Sequence, residues 1–155
     1  MKKFVMVLLC VLCLSVICSA AEPEKSRDFV LTETLGASIG FALYNSHVII
    51  GITADTYSKK IYTQTNMIGI INEQKSALVT LDDYVLKLIQ LSQDPKLSGD
   101  RATLQEILEC TKKINAMSDA LLKYISSPTN SNADDFDTKR KASYGSIDKL
   151  LGLKN

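Results

Sequence analysis

The chain has 155 residues, with 18 Lys and Arg against 17 Asp and Glu, one histidine and no tryptophan. A formal net charge of +1 supplies no field that would hold nucleic acid or an anionic surface, so a partner recognised by charge alone is excluded. Three of the four cysteines, Cys10, Cys13 and Cys18, crowd into the N-terminal segment; without that segment Cys110 stands alone and an internal disulfide framework is excluded.

The chain opens "MKKFVMVLLCVLCLSVICSAAEPEK". Lys2 and Lys3, an apolar run from Phe4 to Ile17 and the small residues Ser19, Ala20 and Ala21 are the three parts of a secretory signal peptide. A membrane anchor would need about 20 apolar residues, and this run is shorter. The reading is therefore a cleaved signal over residues 1–21, with cutting after Ala20 or Ala21. A single domain over residues 22–155 follows, periplasmic or extracellular, touching the membrane only during export and held together by its core.

Residues 34–54 and 61–72 carry no charge. A membrane span would put Asn45, Ser46 and His47 at its centre, where adjacent polar side chains are costly. Strands suit the β-branched runs "HVIIGIT" and "MIGII", which makes a hairpin within residues 46–72 the rival reading, although no Asn-Gly or Asp-Gly turn closes it. A helix buried on most of its circumference accounts for the missing charge. It also gives Gly36, Gly40 and Gly51 a use, as places where a neighbour approaches closely. One helix from Asp28 to Gln93 would be about 100 Å long at ~1.5 Å per residue, so a turn is expected near "DTYSKKIY".

From Ala77 to Leu91 the apolar residues recur at steps of three and four, with Asp82, Asp83, Lys87 and Gln90 between them, which predicts an amphipathic helix stopping before Pro95. "TLQEILECTKKINAMSDALLKYI" aligns Leu104, Ile107, Leu108, Ile114, Met117, Leu121 and Ile125 on one side, with "SGD" as its cap and "SSP" as its stop. Cys110 lies on or beside that stripe and reads as a small hydrophobe. A last helix starts near "NSNADDFD", with Asn132 or Ser131 as cap and Asp134 and Asp135 against the positive end of its dipole. Phe136, Ser143, Tyr144, Ile147, Leu150 and Leu151 form its apolar side, interrupted by "TKRK" and Gly145. The expected class is all-α, an up-down four-helix bundle behind a cleaved signal peptide, with an α+β fold as the alternative.

Motifs for chemistry are sparse. Asn130, Asn132 and Asp134 alternate as in a calcium loop, but Asp135 stands where Gly is required and Lys141 where Glu is required. Catalysis would need a base near neutrality, and His47 is the sole histidine, with no nucleophile motif beside it. It reads as a core or interface residue bonded to a backbone carbonyl, Asn45 or Ser46. No catalytic, metal or cofactor residue is assigned, and an enzyme is not expected. The expected role is contact with a protein partner. The alternatives are a carrier of a small apolar ligand lined by residues 34–54 and 61–72, and a non-covalent haem bundle using His47 with Met67 or Met117.

Overall fold

A computed structural model describes residues 27–91 and 98–153, with side chains from 33 and, after the gap, from 101. The signal peptide of residues 1–21 and the helix stop at Pro95 lie outside the described residues. Among the described residues there are four helices: α1, Arg27–Ser58; α2, Gln64–Leu91; α3, Ser98–Ser126; and α4, Asn130–Leu151. Among the described residues there is no strand, so the hairpin alternative gives way: "HVIIGIT" lies in α1 and "MIGII" in α2. The reason is periodicity. Ile39, Leu43, Ile50 and Ala54 are buried at helical spacing, and burial at that period overrides the β-preference of branched side chains. The chain separates into two units at Gly36, and the bundle described below is the second, Gly36–Asn155.

Cross-links between helices give the direction of each. Lys75 pairs with Asp119 and Asp82 accepts from Thr111, so α2 and α3 run antiparallel. Cys110 Sγ lies 3.0 Å from Ser146 Oγ and Lys149 bonds Glu106 at 2.7 Å, so α3 and α4 do too. Gly40 meets Leu151 while His47 meets Ser143, so α1 and α4 are antiparallel as well. This arrangement is consistent with an up-down four-helix bundle. Its centre is filled by side chains with no exposure, among them Leu43, Ile50, Met67, Ile71, Ile114 and Leu121. Each such aliphatic residue contributes about 1.5–3 kcal/mol by leaving water.

The helix ends correct several sequence expectations. The turn after α1 forms without glycine: Lys60 adopts φ 54°, Ile61 N–H donates to Thr56 O at 3.0 Å, and Lys60 N–H donates to Tyr57 O at 2.9 Å. This is a Schellman ending with lysine in the left-handed place. α4 ends the same way with Gly152 at φ 62°. Thr63 opens α2, its hydroxyl accepting from Asn66 N–H at 3.3 Å. Thr129, rather than Asn132 or Ser131, caps α4, because helical geometry already begins at Asn130. Asp134 and Asp135 therefore fall outside the first turn. Ser98, Gly99 and Asp100 are the first turn of α3 and not its cap. "TKRK" and Gly145 do not interrupt α4.

α1 is a helix, but it is not buried around most of its circumference. Phe41 is 67% exposed and Ile52 55%, and Tyr44 and Ile49 are also on the surface. Nor do its glycines all admit a neighbour. A Cβ at Gly40 would collide with Leu151, whereas Gly36 and Gly51 face open space.

Candidate functional site

The inward face of α1 carries two polar residues between Leu43 and Ile50: Ser46 and His47, both buried. His47 Nδ1 lies 2.8 Å from Ser143 Oγ, across the α1–α4 seam. Ser143 sits on the buried stripe of α4, one turn before Ile147, and is itself fully buried. Its single hydroxyl hydrogen has an acceptor in the Arg140 carbonyl at 2.9 Å, with Met117 Sδ at 3.3 Å. His47 Nδ1 and Ser143 Oγ thus share one hydrogen bond across the seam, with the direction set by the tautomer of the neutral ring. Burial, with the Arg140 cation nearby, pushes the His47 pKa below its ordinary value and keeps that neutral form. The Tyr144 ring lies 5.8 Å away, tilted by 45°.

The partner expected for His47, a backbone carbonyl, Asn45 or Ser46, is thus replaced by a hydroxyl 96 residues distant. A signal is present: Ser143 is the one aliphatic hydroxyl on that side of α4, and the sole histidine lies on the apolar stretch of α1. Met117 touches the same serine, while Met67 is buried in α2. Asn132 of the calcium-like run is buried, and its amide donates to Ser127 O at 2.7 Å, fixing the α3–α4 turn. Among the described residues, no three His, Cys, Asp or Glu side chains gather as metal ligands would. Cys110 is buried, and burial raises its thiol pKa, which disfavours the reactive thiolate.

Beside His47 the α1–α4 seam opens into a cavity of about 540 Å³. Val48, Gly51, Ile52 and Asp55 line it from α1; Arg140, Lys141, Tyr144, Gly145 and Asp148 line it from α4. Tyr144 also borders a second hollow of about 510 Å³, lined by Ala37, Phe41, Tyr44, Leu151 and Leu153. The seam is therefore apolar toward Leu153 and mixed in charge toward Asp55.

Among the described residues one helix, over Glu33–Ser58, is long and apolar enough to cross a membrane, a property shared by signal sequences, anchors and core helices. As packed against α4, α1 has Arg140 and Lys141 beside it, and carrying those cations into hydrocarbon would cost several kcal/mol. No protein-family model matches the chain, and no curated protein or solved structure matches it.

Proposed function

We propose that the chain is an exported helical bundle that works by contact with another protein, through the outward face of α1. The observation behind this is the surface formed by Phe41, Tyr44, Ile49 and Ile52, exposed on a helix that has no charge from residue 34 to residue 54. Scattered apolar side chains are ordinary on a protein surface, but a contiguous uncharged face of aromatic and aliphatic groups marks an interaction site. The core beneath it is filled, so the face presents a firm surface that binding need not reorder.

The test is a photo-crosslinking amino acid placed at Phe41 in the native organism. The expected result is one discrete adduct that disappears when Ile52→Lys is added. A label at Lys112, on the charged face of α3, should give none. Equal adducts from both positions, or none from either, would overturn this reading.

A further inference from the structure

α1 carries one spacing of residues twice. Ile39, Leu43, Ser46, Ile50 and Ala54 follow one another at steps of four, three, four and four, and all five are buried in the bundle. Ala37, Phe41, Tyr44, Val48 and Ile52 repeat those steps two residues out of register, and lie partly or fully open to solvent. At about 100° per residue the two stripes stand on opposite sides of the helix. A stripe at this spacing is what one helix presents to another, so α1 is built to pack on two sides and the bundle occupies one. The outward side of α3, with Glu106, Glu109 and Lys113, shows what a solvated face of this chain looks like instead.

The outer stripe is not flat. Phe41 projects from it, and Ala37, Tyr44, Tyr144, Leu151 and Leu153 join Phe41 in lining a hollow of about 510 Å³. Projection and recess thus lie side by side on one surface. Two-fold pairing of identical faces sets each projection against the other's recess, which requires a face that complements itself. Charge narrows the choice of partner: residues 34–54 carry none, and neither does the lining of the hollow. Two copies meet there with no like charges opposed, whereas a charged partner would lose water and gain no counter-ion. The area suffices. Phe41, Tyr44, Ile49, Ile52, Tyr144 and Leu153, each 37–67% exposed, together leave roughly 600 Å² open, or about 1,200 Å² across two copies. That is the lower end of specific interfaces, the size of a dimer that dissociates on dilution.

We infer that two copies of the chain pair through this face, the outer stripe of each α1 seated in the α1–α4 groove of the other and each Phe41 ring entering the opposite hollow. This rests on the contact reading and names its partner, a second copy.

The experiment is sedimentation velocity on the exported protein over roughly a hundredfold range of concentration. Twice the monomer mass is expected at the upper end, returning to the monomer on dilution. Phe41→Asp, which brings a carboxylate to the hollow, should weaken dimerisation at least about tenfold and leave the helix content and Tm of the dilute protein unchanged. Val79→Asp, at an equally apolar exposed position on α2, should leave the dimer intact. If Phe41→Asp does not fold, Leu153→Asp makes the same test from beyond the end of α4. A protein monomeric at every concentration would overturn the inference, as would a dimer indifferent to Phe41→Asp or Leu153→Asp, or a monomer that cosediments with phosphatidylglycerol vesicles. Failure here stays distinct from failure of the contact reading. A monomer that still gives one adduct from position 41 in the native organism overturns only the second copy, and a monomer that gives none overturns both.

Discussion

α1 and α3 are close in length, 32 and 29 residues, and both turn a face to the same core. Their outer faces differ. α3 shows Glu106, Glu109, Lys112, Lys113 and Asp119 to solvent, whereas α1 shows Phe41, Tyr44, Ile49 and Ile52. The inner faces are more alike: α3 buries Thr111 and Ser118 among Ile107, Ile114 and Leu121, and α1 buries Ser46, His47 and Thr53 among Leu43 and Ile50. Charge shows which side of a helix is outside; lack of charge does not show which side is inside.

The largest expected effect tests whether the two faces differ in energy as they do in burial. Leu121→Ala, in the fully buried stripe of α3, should lower unfolding free energy in urea by about 2–5 kcal/mol. Ile52→Ala on the outer face of α1 should change it by no more than about 0.5 kcal/mol. Similar losses at both would mean that the α1 face is covered in the folded protein.

The next effect concerns the polar break in the α1 stripe. His47→Gln should cost about 1–3 kcal/mol if the Ser143 bond and its burial are lost. The same residue sets a pH dependence. Its folded pKa lies below the unfolded value of 6.5, so the unfolded chain binds the proton more readily. Stability is then greatest above pH 6.5 and falls as pH drops through 6.5 toward the folded pKa. Urea titrations between pH 7.5 and 5 should show this decline in the wild type and not in His47→Gln. Asp55, Arg140, Lys141, Tyr144 and Asp148 line the cavity beside this ring and share the local field. A decline of equal size in both proteins would assign it to other groups.

Two smaller effects sharpen the picture of α1 alone. Lys60→Gly should raise stability by about 1 kcal/mol, since the left-handed conformation costs a side-chain-bearing residue roughly 1–2 kcal/mol and glycine almost nothing. Gly36→Ala should raise it by roughly 0.5–1 kcal/mol, because its Cβ enters open space. Gly40→Ala should gain less, because Leu151 must move. If Gly40→Ala stabilised as much as Gly36→Ala, the α1–α4 contact at Leu151 would be looser than described.

Much of this was legible in the sequence, for reasons that differ by helix. α3 could be read because its polar and apolar residues alternate at a single period. α1 could be read as helical from its length and lack of breakers, but its orientation could not, since no charged side chain marks its outer face. The turn at Lys60 was placed only by the argument from length, because the residue that ordinarily marks a left-handed ending is glycine. Ser143 could be seen as an odd hydroxyl on an apolar stripe, yet nothing local ties it to a histidine 96 residues away. Gly51 and Gly145 line the cavity and, like Gly36, have nothing within 4 Å of an added Cβ, whereas Gly40 meets Leu151. Glycine signals both close approach and open space, and only the folded structure tells these apart.

The link between α3 and α4 is three residues, Ser127 to Thr129, and it is tightly bonded: Ser127 N–H donates to Lys123 O, and Asn132 bonds both Ser127 and Thr129. So short a closure costs little chain entropy, whereas bringing α1 to α4 closes a loop of nearly a hundred residues. Folding should therefore begin as an α3–α4 hairpin, with α1 the last helix to seat and the first to leave. In native-state hydrogen exchange, amides around Leu43–Ile50 should exchange through a partial opening below the global unfolding energy, while those around Ile114–Leu121 wait for the whole bundle to open. The uncharged outer face of α1 thus belongs to the helix that detaches most readily, and a partner gripping it would hold the fold shut.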